Sequence, residues 1–482
     1  MKKNLGINAF LNLVKTSLSI LFPLLTYPHV SRVLGVENIG KINYTGSLVS
    51  YFSLIAALGI STYAIREGSK IRTDKAHLQK LGNELFTINI LSTLLSYLLL
   101  AIVVFLFIEN PEYKILIFVQ SLSIFFTTLG VDWINVIFED YLFITARSLL
   151  IQFASLIWIF GMIKSPQDLY LYAAITVITS GITCLLNLWY CRKYLKLRLT
   201  WNPNVSKHIR SIMTFFSGGL AISLYVNSDT LILEWMKGPY YVGLYTIAVK
   251  VYSILKTLMA SVYSVTIPKL SSLYAEGRIE EFKQTYTKIL NYVTLLLLPL
   301  TAGMIVLSKE IILFMGGKAF VASTLTLQLL AVSLIGAIFG GVLTYALNIP
   351  IGREAVNFHG SVFAIIINIV LSLILIPALF QNGAAISTIA SEFFIVAYNF
   401  FVVKESSSYI DFSKWKTNLR DAFIGSLLII GLGMIFSYFG MGSIMYSILL
   451  VLSSILVYII VLIFFKNKEL EELFGQLKRR LS

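Results

Sequence analysis

The feature that most constrains this sequence is a long series of apolar segments separated by short polar stretches. Because an α-helix rises ~1.5 Å per residue, a run of about 20 apolar residues is long enough to cross the hydrocarbon of a bilayer. Only 13% of the residues are charged, well below the fraction that is usual in soluble domains. We therefore predict an all-α polytopic membrane protein with about fourteen transmembrane helices. The predicted spans are 10–33, 42–64, 86–108, 115–138, 142–163, 169–190, 211–234, 243–267, 289–307, 322–347, 358–380, 384–403, 421–440 and 443–465.

The distribution of basic residues predicts how these spans are oriented. An even number of spans leaves both termini on one side of the membrane, and 28 of the 38 Lys and Arg then lie on that side, against 7 on the other. Lys and Arg accumulate in cytoplasmic loops, so both termini are predicted to be cytoplasmic. The net charge of +14 is explained by this orientation. No basic block is long enough to indicate a nucleic-acid partner.

A short motif occurs twice and predicts two related halves. The segment 35–40 joins spans 1 and 2, and the segment 238–243 joins spans 7 and 8; both read Gly-x-x-x-aliphatic-Gly, 203 residues apart. Six spans separate the copies, so both copies have the same orientation in the membrane, with an axis along the membrane normal. The predicted organisation is an N-lobe at 1–200, a C-lobe at 201–404, and spans 13 and 14 with a cytoplasmic tail at 405–482.

One lysine lies in the middle of a predicted span and indicates a functional site. Lys256 is within 243–267, and at ~100° per residue Tyr245, Tyr252 and Tyr263 fall with it in a sector of ~40°. A charge at this depth is costly and usually faces the protein interior or a wet cavity. This face predicts a cavity for a large, anionic, hydroxyl-rich cargo.

Polar residues on other spans are candidates for the same cavity. Asn43 and Ser47 lie on a polar stripe of span 2, and Asn227 lies on one of span 7. Such stripes either hold helices together or line a cavity, and their coincidence in the two related hairpins favours a cavity. Arg32, at the outer end of span 1, could receive cargo or extend to the lipid headgroups.

The remaining intramembrane charges are candidates for structural ion pairs or for ion coupling. Asp132 and Arg147 flank the turn at 139–140 at equal distances, so we expect them to pair. Asp229 and Lys250 are matched in the same way across the 235–242 turn, and their pairing would leave the lysine of the tyrosine face unneutralised. Glu392 has no obvious partner; it could couple to a proton or cation, or form an interhelical hydrogen bond.

Motifs for soluble-type chemistry are absent from the sequence. There is no Walker loop, no Gly-x-Gly-x-x-Gly and no metal-spaced set of His or Cys. The outer connections are too short to hold a catalytic domain. We therefore expect a transporter without a cofactor or metal, with H+ or Na+ as possible coupling ions, and no enzyme.

Five further segments are distributed over nearly the whole chain, at 28–40, 58–67, 131–141, 221–229 and 349–354. Together, in their order and spacing, they resemble the Wzx-type polysaccharide flippases of the multidrug/oligosaccharidyl-lipid/polysaccharide (MOP) exporter superfamily. The resemblance implies two six-helix bundles, alternating access, and a bacterial cytoplasmic membrane. The implied cargo is an undecaprenyl-pyrophosphate-linked oligosaccharide moved from the inner to the outer leaflet, with a polysaccharide polymerase and a chain-length regulator as possible partners.

The leading interpretation is thus a lipid-linked oligosaccharide flippase that serves capsule, O-antigen or exopolysaccharide synthesis. A multidrug-type exporter on the same fold is the first alternative, but cationic drugs would require acidic residues in the cavity, and Lys256 argues against them. A membrane polymerase or glycosyltransferase is the second alternative. It would need an acid or base on a sizeable outer loop.

Overall fold

The computed structural model describes residues 5–403, 408–439 and 442–481, and α-helices form its framework. In order, the first nine helices are α1 (Leu5–Ala57), α2 (Ile60–Lys70), α3 (Lys75–Phe107), α4 (Pro111–Leu129), α5 (Asp132–Ile137), α6 (Tyr141–Met162), α7 (Leu169–Cys191), α8 (Val205–Lys237) and α9 (Pro239–Ser264). They are followed by α10 (Ile267–Ala275), α11 (Ile279–Val306), α12 (Ser308–Gly316), α13 (Thr324–Gly341), α14 (Glu354–Leu379), α15 (Gln381–Val402), α16 (Phe412–Ser437), α17 (Ser443–Phe464) and α18 (Lys468–Leu481).

The number of membrane spans agrees with the sequence prediction. Within the described residues, thirteen helical runs are long and apolar enough to cross a membrane. One of them, Leu21–Lys70, is 50 residues long and covers the region of the first two predicted spans, because α1 continues across a kink at Gly35. The prediction of an all-α polytopic membrane protein with about fourteen spans is confirmed.

The two copies of the glycine motif have the same backbone conformation. Gly35 has φ 81° and ψ 173°, and Gly238, 203 residues later, has φ 85° and ψ 178°. This left-handed region strongly favours glycine, since a Cβ atom would be strained there. The repeat is therefore confirmed in local structure: each glycine turns the chain from one spanning helix into the next.

The second glycine of each copy lies at a close backbone contact. A Cβ atom on Gly40 would fall 1.8 Å from the carbonyl oxygen of Pro239, and one on Gly243 would fall 2.0 Å from the carbonyl oxygen of Val36. The start of α9 therefore rests directly on the backbone of α1, and each glycine leaves room for the other segment. Small residues permit this approach in membranes, where helices associate through packing.

Some predicted spans are interrupted where the backbone leaves helical geometry. Leu58 and Gly59, with φ of 46° and 73°, separate α1 from α2 inside predicted span 42–64. Gly130 and Val131 separate α4 from α5 inside predicted span 115–138. Towards the end of predicted span 322–347, α13 gives way to a π-helical segment, Val342–Asn348. Apolar composition alone does not reveal these breaks.

The chain divides into two compact units, Met1–Gly243 and Leu244–Ser482. In the first unit, α2, α3, α5, α7 and α8 contribute to one buried cluster, whose members are Ile60, Tyr63, Ala64, Leu78, Leu81, Leu85, Ile88, Val131, Trp133, Ile134, Ile137, Cys191, Leu195 and Ile212. In the second unit, α15 packs against both α13 and α14, and α11 packs against α16. The predicted lobes at 1–200, 201–404 and 405–482 stay a prediction.

Candidate functional site

Helix α9 carries the predicted tyrosine face on its buried side. The helix begins at Pro239, whose fixed φ suits a first helical position. Tyr245, Tyr252 and Tyr263 then recur at near-integral numbers of turns, and their exposed fractions are 5%, 7% and 6%. The structure thus brings these three residues onto one face, as predicted, and buries that face inside the second unit.

Lys256 is neutralised by an acidic residue of α15. Its Nζ atom donates to Oε1 of Glu392 at 2.7 Å, and the hydroxyl of Tyr252 donates to the same oxygen at 3.2 Å. The ammonium group also lies 5.5 Å from the centroid of the Tyr252 ring. The expectation that Lys256 is an unneutralised cation is therefore wrong. The expectation that Glu392 bonds to a neighbouring helix is confirmed.

The two members of this ion pair differ in exposure. The side chain of Lys256 is 36% exposed, whereas that of Glu392 is 4% exposed. A buried carboxylate without a partner would be very unfavourable, so Glu392 depends on the two donors that reach it. Lys256 is thus the less buried member of the pair.

The two ends of the tyrosine face contact other elements of the second unit. Near the start of α9, the hydroxyl of Tyr245 lies 3.4 Å from Oγ1 of Thr388 on α15. Near its end, the ring of Tyr263 stacks on that of Tyr345, with centroids 6.2 Å apart and planes 9° apart. Tyr345 belongs to the π-helical segment and is 46% exposed. One helix face therefore connects α15, the ion pair and an exposed aromatic ring.

The predicted pair of Asp132 and Arg147 is present in the first unit. Nη2 of Arg147 donates to Oδ1 of Asp132 at 3.1 Å, and the arginine side chain is 3% exposed. The guanidinium carbon also lies 5.6 Å from the ring centroid of Phe143. This arrangement fits the structural role that was expected for the pair. Asp229 belongs to the first unit and Lys250 to the second, and their pairing stays a prediction.

Two of the predicted polar residues of the first unit bond to their own helices. The amide of Asn43 donates to the carbonyl of Ile39 at 2.7 Å, and that of Asn227 donates to the carbonyl of Ser223 at 3.1 Å. Ser47 is half-buried, and Arg32 is exposed. A role of these four residues in binding cargo stays a prediction. Among the described residues, no group of three or more His, Cys, Asp or Glu could hold a metal ion.

Sequence reasoning missed a buried polar network between α2, α3 and α8. His208 is completely buried, with Nε2 at 3.0 Å from Oε2 of Glu84 and Nδ1 at 2.8 Å from the hydroxyl of Tyr63. In the sequence, the four histidines have no spacing that indicates a shared site. The available signal was Glu84 itself, an acid at the edge of predicted span 86–108, but sequence spacing could not show that its partner lies 124 residues away.

Comparison with known proteins assigns the chain to a family. The family described as "polysaccharide biosynthesis protein" matches residues 5–274, which is more than half of the chain. The chain belongs to this family. Among its relatives, the capsular polysaccharide biosynthesis protein CapF of Staphylococcus aureus is 26% identical over 218 residues, which are 44% of this chain and 54% of CapF. A protein of Shigella dysenteriae named as an O-antigen transporter is 21% identical over 408 residues, 84% of this chain and 100% of that protein.

Solved structures share the fold of this member of the polysaccharide biosynthesis family. The lipid II flippase MurJ, in an inward closed conformation, superposes with a TM-score of 0.76 at 17% identity, covering 95% of this chain and 99% of MurJ. An inward-facing MATE multidrug resistance transporter of the MOP superfamily superposes with a TM-score of 0.60 at 14% identity, covering 82% and 98%. The chain thus belongs to the polysaccharide biosynthesis family and has the fold of these two transporters.

Proposed function

We propose that this protein is a flippase for lipid-linked oligosaccharides. Its cargo is an undecaprenyl-pyrophosphate-linked repeat unit, which it moves from the inner to the outer leaflet of the bacterial cytoplasmic membrane by alternating access. Membership in the polysaccharide biosynthesis family and the fold shared with MurJ support the transporter class. The lipid tail stays in the bilayer while the pyrophosphate and sugars cross through a polar path.

The observation that carries this proposal is the ion pair of Lys256 and Glu392 on the tyrosine face. A lysine that is partly exposed at mid-helix can receive an anionic pyrophosphate, and its buried acid holds the charge when no cargo is bound. Cargo binding then competes with Glu392 for Lys256. Protonation of Glu392 would favour the cargo in this competition, so Glu392 is our candidate for coupling transport to H+; Na+ is the alternative ion.

Exposed aromatic surface at the end of the tyrosine face, about two helical turns from Lys256, suits the sugar part of the cargo. Tyr345 presents its ring next to Tyr263, and tyrosine combines an apolar face with a hydroxyl. A multidrug-type exporter is the competing function on this fold. The ion pair disfavours it, because a cationic drug would have to displace Lys256 before it could bind Glu392.

Reconstitution in liposomes tests the proposal directly. Purified protein is incorporated with a fluorescent undecaprenyl-pyrophosphate oligosaccharide, and outward movement is read by quenching of the exposed label. The wild type, Lys256→Ala and Lys309→Ala are compared with and without a pH or Na+ gradient. Lys309 is an exposed lysine of the same unit and serves as the matched control.

We expect movement by the wild type and by Lys309→Ala, and a loss of at least about tenfold in Lys256→Ala, since a charge-assisted contact to phosphate contributes about 1.5 to 3 kcal/mol. Unchanged movement in Lys256→Ala would reject the assigned cation. No movement by the wild type under any gradient, together with export of a cationic dye, would reject the flippase in favour of the exporter.

A further inference from the structure

Four residues in or directly before the N-terminal parts of α2, α3 and α8 are linked by hydrogen bonds into one network. His208 bridges Glu84 and Tyr63 through its two ring nitrogens, and the amide of Asn204 donates to the other carboxylate oxygen of Glu84 at 2.9 Å. The exposed fractions of His208 and Glu84 are 0% and 3%. A histidine enclosed between a carboxylate and a hydroxyl is therefore sealed from solvent.

The hydrogen-bond partners of His208 leave one of its two ring nitrogens able to gain or lose a proton. An ionised carboxylate only accepts hydrogen bonds, so Nε2 of His208 must donate to Glu84. Nδ1 faces the hydroxyl of Tyr63, which can either donate to a neutral imidazole or accept from a protonated one. The network can therefore bond to His208 in both protonation states, because only the Tyr63 hydroxyl has to rotate between them. The proton would be taken up at Nδ1.

The charge of the network depends on whether His208 carries a second proton. With a neutral His208, Glu84 is a buried carboxylate held only by neutral donors; with a protonated His208, the two form a buried ion pair. The other charged groups that act on the network are Arg66 and Glu67 from α2, which oppose one another, and Lys207 from α8. Lys207 offsets part of the negative charge, but it is exposed to solvent.

The network holds α8 onto α2 at a tightly packed contact. Gly59, directly before α2, lies so close to α8 that a Cβ atom on it would fall 2.7 Å from Cβ of Phe215. In the predicted repeat of 203 residues, α8 is the counterpart of the start of α1, and thus the first helix of the second copy. Positions 203 residues after Tyr63 and Glu84 are Thr266 and Thr287, so the second copy has no equivalent titratable pair.

We propose that Glu84, His208 and Tyr63 form a proton-binding site that controls the docking of the N-terminal end of α8 on α2 and α3. A bound proton stabilises the docked helix, and undocking exposes His208 to water and releases the proton. The ligand is the proton itself, supplied from the side of the membrane where the basic residues predict cytoplasm. Only the use of this step in a transport cycle rests on the proposed function.

Hydrogen–deuterium exchange of the full chain in lipid nanodiscs tests the site without any cargo. The readout is the exchange of the segment 205–216, corrected for the intrinsic pH dependence of amide exchange, between pH 6 and pH 8. If undocking releases one proton, its equilibrium constant should rise by up to about tenfold per pH unit. We expect this rise in the wild type. His208→Gln should remove the pH dependence, because glutamine bonds but does not titrate there.

Two further variants complete the test. His77→Gln is the matched control, since His77 is an exposed histidine of α3 that bonds to Asp74; it should keep the wild-type pH dependence. Glu84→Gln should remove the dependence and serves as a second variant if His208→Gln does not fold. An equal pH dependence in the wild type and in His208→Gln or Glu84→Gln, or its loss in His77→Gln, would overturn the proposal. Because no cargo is used, a failure here is separate from a failure of the flippase assay.

Discussion

Glu392 and Lys256 form an ion pair whose two members differ in burial. The carboxylate is buried and accepts from both Lys256 and Tyr252, whereas the lysine side chain is 36% exposed. Removing the lysine leaves a buried charge without its main partner, and removing the acid leaves a cation on the less buried of the two side chains. The two single variants should therefore not be equivalent.

The first prediction concerns this inequality. Lys256→Met should lower the free energy of unfolding by about 3 to 5 kcal/mol, because Glu392 is left uncompensated in a buried site. Glu392→Gln should cost less, and the double variant Lys256→Met/Glu392→Gln should recover most of the loss. Thermal and denaturant unfolding in detergent measures all four proteins of this cycle. Additive losses in the double variant would contradict the pairing.

The second prediction concerns Asp140, which lies between α5 and α6. Burial alone would raise the pKa of Asp140, but hydrogen bonds to Oδ2 from Lys193 at 2.9 Å, Tyr194 at 2.7 Å and Tyr190 at 2.8 Å outweigh it and hold that pKa at about 2. The folded-state pKa is thus below the unfolded value of about 3.9. The stabilisation is present above about pH 4 and is lost as the pH falls towards 2.

Asp140→Asn should therefore lower the free energy of unfolding by about 1 kcal/mol at neutral pH, after allowance for solvent screening of Lys193. The difference between the wild type and the variant should shrink between pH 4 and pH 2. Tryptophan fluorescence during unfolding in detergent can follow both proteins across this range. A difference that stays constant down to pH 2 would mean that Asp140 is not held as an ionised group.

At the residue scale, the sequence predicts depth and helix face but not the partner on a distant helix. The face of Tyr245, Tyr252, Lys256 and Tyr263 follows from helical periodicity, and Asp132 with Arg147 follows from equal distances to a shared turn. Glu392 lies 136 residues from Lys256, so no local spacing relates them. Only the packing of α9 against α15 brings the two charges together.

At the scale of elements, the two glycine turns could be predicted from residue type alone. The six-residue motif was sufficient to predict the repeat, because a left-handed turn and a close backbone contact both require glycine at fixed positions. The break at Leu58 could not be predicted in the same way. Leucine disfavours a φ of 46°, and only the surrounding structure holds it there.

The third prediction tests the close contact between α1 and α9. Gly40→Ala should lower the free energy of unfolding by at least about 2 kcal/mol, because the new methyl group would overlap the carbonyl of Pro239 and force two backbones apart. Gly161→Ala is the control: nothing lies within 4 Å of a Cβ atom at that position of α6, so helix propensity should make it neutral or slightly stabilising. Equal stability of the two variants would refute the contact.

At the scale of the whole molecule, the charge distribution makes a prediction about orientation. Both termini and the basic segments 66–80, 192–210 and 404–420 should lie in the cytoplasm. In a chain with Cys184→Ala and Cys191→Ala, a membrane-impermeant maleimide applied to intact cells should label Glu109→Cys but not Ser69→Cys. Both positions are exposed. Labelling of Ser69→Cys before lysis would reverse the orientation.

The contact between the two glycine segments has the form of an isologous interface. In a symmetric dimer, if residue i of one chain contacts residue j of the other chain, then residue j of the first chain contacts residue i of the second. Gly40 lies against Pro239 and Gly243 lies against Val36, so this reciprocity occurs within a single chain, between segments 203 residues apart. A single added methyl group at either glycine therefore acts on both segments, and neither position can change without consequences for the other.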